Sequence, residues 1–156
     1  MTTINPYLTF NGTCEAAFNF YKSVFGGDFT FVGKFKDMPP NPDYPVSEAD
    51  HEKIMHISFP ISKETILMGS DSSEAFGKAS VEGNNFSISI NSDSVEEITR
   101  IYNALSEGGH IKMPLAKTFW ESYFGMFIDK FGMHWMVNYE LESHKDYENK
   151  HRKDDK

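Results

Sequence analysis

The chain has 156 residues, 39% of them apolar and 24% charged, and its 15 Lys and Arg against 23 Asp and Glu give a net charge of −8. A composition this close to average suits a folded domain, and a chain of this length buries about 70% of the surface it exposes when unfolded, so it needs neither disulfides nor a structural metal. The acidic balance, with no sustained Lys/Arg stripe in the folded part, removes the electrostatic attraction that holds nucleic acid and anionic lipid, so neither is an expected partner.

The chain begins MTTINPYLTFNG, with no basic start followed by an apolar stretch. No later run approaches the roughly 18 apolar residues of a membrane span, and the expected compartment is the cytoplasm. A strand over about Ile4–Phe10 leads into NGTCEAAFNFYKSVFGG (11–27), whose apolar residues recur at helical spacing before a Gly-Gly stop. Cys14, the single cysteine, allows no internal disulfide and no Cys-cluster metal site, which agrees with a reducing compartment. A strand near Phe29–Phe35 follows. Residues 37–53 then hold four of the seven prolines, which reads as a surface loop, either a functional lid or disordered. A hairpin of His56–Ile61 with Thr65–Gly69 closes this half, ending in ILMGSD.

The second half repeats the first at an offset of about 81. A strand over Asn85–Ile90 precedes the helical segment SDSVEEITRIYNALSEGG (92–109), which pairs Glu15 with Glu96, Ala17 with Ile98, Phe20 with Ile101, Tyr21 with Tyr102, Val24 with Leu105 and Gly27 with Gly108. Next come a short strand near His110–Pro114, an aromatic loop KTFWESYF, and strands over Gly125–Ile128 and Met133–Tyr139 joined by the turn DKFG. Residues 143–156 carry nine charges and form a solvated tail. The organisation is one domain, residues 1–142, of two strand-helix-three-strand modules, 1–75 and 82–142.

This duplicated arrangement resembles the vicinal oxygen chelate superfamily, which includes glyoxalase I, extradiol dioxygenases and bleomycin-resistance proteins. The stretches NPYLTFNGTCEAAFNFYKSVFGG, ILMGSD and MPLAKTFWESYFGMFIDKFGMHWMVN are most similar to its PhnB-like branch, also known under a demethylubiquinone methyltransferase heading. The resemblance implies an α+β fold in which two paired βαβββ modules form a curved mixed sheet around a cleft, with helices outside, and it implies a homodimer. The methyltransferase heading has no counterpart in these residues, since no strand is followed by the Gly-rich turn that binds a nucleotide cofactor.

Strand alternation sorts the cleft from the core. Leu8 and Phe10 pack under a helix and leave Tyr7 and Thr9 for the cleft. Met55, Ile57 and Phe59 pack and leave His56 and Ser58. Phe86, Ile88 and Ile90 pack and leave Ser87 and Ser89. Trp135 and Val137 pack and leave His134, Met136 and Asn138. The superfamily's metal is held by His, Gln or Glu from the first and last strand of each module. Here those strands offer Tyr7 or Thr9, Met68 or its neighbours, Ser87 or Ser89, and Met136, and thioethers and hydroxyls are poor ligands for Zn, Mn or Fe(II). The expectation is no metal and no cofactor. In the aromatic loop, Trp120 and Phe124, with Phe119 and Tyr123, are either a stacking wall for a flat ligand or interface packing. Asp71, Asp129 and Glu15 read as turn-forming or helix-start acids.

The leading functional reading is therefore a small-molecule-binding protein whose ligand contacts come from Tyr7, Thr9, His56, Ser58, Ser87, Ser89, Trp120, Phe124, His134, Met136 and Asn138. The alternative is a metal-dependent lyase, isomerase or dioxygenase in which His56 and His134 hold the ion or act as acid and base.

Overall fold

The computed structural model describes residues 1–119 and 122–140, and the chain divides into two compact units with the break between Glu82 and Gly83. The first unit comprises β1 (Tyr7–Phe10), α1 (Cys14–Phe25), β2 (Phe31–Lys34), β3 (Ile54–Pro60) and β4 (Ile66–Asp71). The second comprises β5 (Ile88–Asn91), α2 (Val95–Ser106), β6 (His110–Lys117), β7 (Ser122–Ile128) and β8 (His134–Glu140). Each unit holds one four-stranded mixed sheet with the same topology, β1-β4-β3-β2 and β5-β8-β7-β6. In each, the first strand runs parallel to the last and the other pairs are antiparallel. The sequence repeat is thus a repeat of topology, and the α+β class with two βαβββ modules is the observed one.

Each helix buries one stripe. In α1 it is Cys14, Ala17, Phe18, Tyr21 and Val24, and in α2 it is Ile98, Ile101 and Leu105. Both are followed by glycines at positive φ, +74° at Gly26 and +81° at Gly27 after α1 and +72° at Gly108 after α2, conformations that disfavour any side chain. Their N-termini differ. The Ser94 hydroxyl caps α2 by accepting from Glu97 N at 3.2 Å, whereas Thr13 makes no side-chain cap for α1.

Against α1 lie Leu8, Phe10, Ile57, Phe59 and Leu67, all buried. Phe18 is the centrepiece: its ring meets Phe10, Tyr21 and Phe29 edge-on with centroids 5.6–6.5 Å apart. It fits because Gly69 is bare; a Cβ there would stand 2.7 Å from the ring and 2.8 Å from the Leu8 carbonyl oxygen. Burying such a ring stabilises by about 1.5–3 kcal/mol. In the second unit Phe127, Trp135 and Val137 pack under α2, and Tyr102 meets Phe127 edge-on at 5.6 Å.

Several expected boundaries move. β1 begins only at Tyr7, and Ile4 is exposed. β5 runs Ile88–Asn91 rather than Asn85–Ile90, so Ser87 precedes the strand and Phe86, expected to pack, is 55% exposed. Lys117 ends β6, and Ser122–Phe124 open β7, so Tyr123 and Phe124 belong to a strand pair and not to a loop. Met55, expected in the core, is not there. The pairing steps from Gly33 opposite His56 to Lys34 opposite Ile54, leaving Met55 as the extra residue of a β-bulge. A bulge resets strand parity, so Ile54 takes the buried position and Met55 faces the other side.

Candidate functional site

The sheet face of the first unit opposite α1 gathers Tyr7, Thr9, His56, Ser58, Met68 and Ser70. Tyr7 stands opposite Met68 and Thr9 opposite Ser70 across β1 and β4, while Ser58 stands opposite Met68 across β3 and β4. Three of these form a chain: Tyr7 Oη lies 3.1 Å from His56 Nδ1, and His56 Nε2 lies 2.9 Å from Ser58 Oγ. In a neutral imidazole one nitrogen donates and the other accepts, so the direction of the chain is set by the tautomer of His56. Tyr7 and Phe31 flank the His56 ring, with centroids at 5.6 and 5.8 Å.

Beside this chain the face opens into a cavity of about 450 Å³. Its walls are Phe35, Met38, Met55 and Phe76, its hydroxyls come from Thr9, Ser70, Ser72 and Ser73, and Lys78 stands at its exposed side. Two connections build it. The Pro-rich segment after β2 returns over the face and places Tyr44 flat on Phe76 (5.3 Å, 11°), which in turn stacks on Phe35 (5.9 Å, 24°). The segment after β4 is pinned by Asn11, whose side chain accepts from Ser72 Oγ at 2.7 Å, Ser80 N at 2.9 Å and Ser80 Oγ at 3.0 Å and donates to Ser80 O at 3.0 Å. The two segments are fastened to each other through Asp50, which is buried, accepts from Ser73 Oγ at 2.9 Å and pairs with Lys53 Nζ at 2.7 Å. The hydrogen bonds from Lys53 and Ser73 hold its carboxyl below the usual range, against the opposing effect of desolvation.

Asp71 lines the same cavity, yet its carboxylate is committed elsewhere. Oδ1 accepts from Gly12 N at 2.9 Å and Cys14 N at 3.0 Å, and Oδ2 from Ile54 N at 2.9 Å. It supplies the cap that Thr13 does not, and it ties α1 to the start of β3. The reading of Asp71 as a turn-forming side chain is therefore corrected: it is a long-range cap. Cys14 is fully buried beside it, and burial, then the charges of Asp71 and Glu15, push its thiol far above the ordinary range, which leaves no reactive thiolate.

The second unit carries the remaining residues. Ser89 stands opposite Met136 and Asn91 opposite Asn138 across β5 and β8; Phe124 stands opposite Asn138, and Met126 opposite Met136, across β7 and β8. Ser89, Phe124, Met136 and Asn138 thus share the face away from Trp135 and Val137. His134 opens β8 on that face, and its Nδ1 is buried without a hydrogen-bond partner among the described residues. Asn138 Nδ2 donates to Asn91 Oδ1 at 3.3 Å. Asp129 is structural: it accepts from Phe131 N, Met133 N and Trp135 Nε1 at 2.8–3.1 Å, closing the turn into β8. Trp120 lies outside the described residues. Among the described residues no three His, Cys, Asp or Glu side chains converge as a metal site would require.

Sequence reasoning placed Thr9 at the cavity but missed Phe35, Met38, Met55, Ser70, Ser72, Ser73, Phe76 and Lys78. Six of these eight lie outside the strands, where no period marks them; Met55 was hidden by the bulge, and Ser70 sits within β4. The available signal was the length and proline content of the β2–β3 connection.

The architecture is that of the glyoxalase/bleomycin-resistance proteins: a member of that group from Albidiferax ferrireducens superposes with a TM-score of 0.60 over 90% of this chain and 99% of its own, at 14% identity, a likeness of fold alone. A narrower assignment follows from sequence. The profile of the 3-demethylubiquinone-9 3-methyltransferase family matches residues 2–138, and the chain belongs to that family. Protein YjdN of Escherichia coli K12 is 33% identical over 141 residues, covering 86% of this chain and 93% of its own. Protein PA1353 of Pseudomonas aeruginosa is 41% identical, with a TM-score of 0.77 over 90% of this chain and 98% of that one. A Bacillus cereus structure named both for this methyltransferase and as a PhnB protein is 24% identical, with a TM-score of 0.70 over 88% and 99% of the two chains.

Proposed function

We propose that this PhnB-like protein binds a small organic molecule in the first unit, in the cavity between its open sheet face and the two loops stacked over it, and that it acts in the cytoplasm as a homodimer. The observation that carries the reading is the cavity itself: about 450 Å³, with two phenylalanines and two methionines as walls and hydroxyls as floor. That is the volume and chemistry of a site for a small ligand, with apolar surface for affinity and a few polar groups for orientation. Tyr7, His56 and Ser58 extend it with a hydrogen-bonding edge.

The methyltransferase activity in the family's description is not part of the proposal. The turn from β1 to α1 carries one glycine, Gly12, and that from β5 to α2 carries none, so neither offers a Gly-rich cradle for a nucleotide cofactor. Both ring nitrogens of His56 already have hydroxyl partners, which favours hydrogen bonding over metal ligation. A thermal-shift screen of aromatic, aldehyde-derived and carboxylic compounds tests the reading. Compounds that stabilise the wild-type chain should lose their effect in Thr9→Phe, which fills the cavity from an exposed position. Hits unaffected by that change, or no hits at millimolar concentration, would overturn it.

A further inference from the structure

The polar side chains of the cavity divide into committed and uncommitted groups. Asp71, the only acid lining it among the described residues, has both carboxylate oxygens taken by the backbone N–H groups of Gly12, Cys14 and Ile54. Ser72 and Ser73 spend their hydroxyl protons on Asn11 and Asp50. Three polar side chains are left: two hydroxyls, which donate and accept, and one ammonium, which only donates. Thr9 and Ser70 stand side by side in register on parallel strands, and among the described residues neither hydroxyl has a partner. Among the described residues Lys78 is the only cation lining the cavity, and it makes no ion pair with any of them. A pocket with two adjacent hydroxyls able to donate, one ammonium outside any ion pair, and a carboxylate whose oxygens are already taken has a place for an anionic acceptor.

We infer that the ligand is an organic acid: an apolar, ring-sized body against Phe35, Met38 and Phe76, with a carboxylate or comparable oxyanion read by Thr9, Ser70 and Lys78. The inference rests on the proposed cavity and adds the charge of its occupant. The hydroxyl pair suits the two oxygens of one acid group, which accept without needing a proton of their own. Lys78 makes the site selective for charge. Being exposed, it contributes a modest share, since solvent screens an ammonium at a surface.

The test uses three probes of one shape, 2-naphthoate, 2-naphthamide and 2-naphthylmethylammonium, titrated calorimetrically into the full-length chain. The acid should bind about fivefold more tightly than the amide, equivalent to about 1 kcal/mol, and the ammonium weakest. Lys78→Met should bring acid and amide together, and a Thr9→Val, Ser70→Ala double variant should weaken both. Equal affinity for acid and amide, or preference for the ammonium, would overturn the inference while leaving the cavity as a binding site. Failure of all three to bind at millimolar concentration would overturn the inference and the cavity reading together. Because Thr9 and Lys78 are exposed, circular dichroism of the variants should match wild type, and a variant that unfolds is replaced by Lys78→Gln alone.

Discussion

Replacing Asp71 with Ala removes one side chain and strands three backbone donors, those of Gly12, Cys14 and Ile54, at 2.9–3.0 Å from its carboxylate oxygens. Two of them, on Cys14 and Ile54, are buried. Leaving a buried donor unsatisfied costs about 1–3 kcal/mol, and the bonds lost are charge-assisted. Two buried donors together with the cap of α1 give an expected loss of about 4 kcal/mol. For a chain of this size each kcal/mol lowers Tm by about 2–4 °C, so a fall of roughly 8–16 °C is expected. Asp71→Asn keeps one acceptor oxygen and should lose about half as much. Urea unfolding followed by circular dichroism measures both. A loss under about 1 kcal/mol for Asp71→Ala would refute the assignment of Asp71 as the buried cap of α1.

Four further outcomes are expected. Asp50 has a lowered carboxyl pKa in the folded state, so the stability it confers is present above its unfolded value and is lost as pH falls through the folded one. Wild type should therefore lose its advantage over Asp50→Asn as pH drops below about 4, and urea midpoints that keep a constant difference down to pH 2 would contradict this. Gly69→Ala drives a Cβ against the Phe18 ring and the Leu8 carbonyl oxygen, an overpacking expected to cost about 1–3 kcal/mol by thermal unfolding. Gly83→Ala, whose Cβ would meet nothing closer than 3.6 Å, should change stability by less than about 0.5 kcal/mol. Metal analysis of untagged protein purified without chelator should give less than about 0.1 equivalent of Zn, Mn, Fe or Ni per chain, thioethers and hydroxyls being poor ligands for these ions. A full equivalent, lost in His56→Ala or His134→Ala, would restore the metal-enzyme alternative.

The fold was legible where sequence periods are long and uninterrupted. The two helices, their glycine stops and the repeat itself follow from apolar spacing alone. So does the parity of β8, where Trp135 and Val137 are buried and His134, Met136 and Asn138 face away. Legibility failed where a single residue breaks the period. The bulge at Met55 turns a thioether out of the core and into the cavity, and no local pattern announces an unpaired residue in a strand. It failed again for Asp71, whose partners lie 17–59 residues away in sequence. Part of the cavity was illegible for a related reason: Phe35 and Phe76, with Tyr44 behind them, meet only after two long connections have folded, and stacking between distant rings leaves no spacing to read.

The most direct test of the central claim is a backbone-amide NMR titration of the isotope-labelled chain with 2-naphthoate. Binding in the cavity predicts shifts concentrated at Thr9, Met55, Ser70 and Phe76, with little change at Ser89, Met136 and Asn138. Shifts concentrated on the second unit instead, or none at saturating probe, would contradict it.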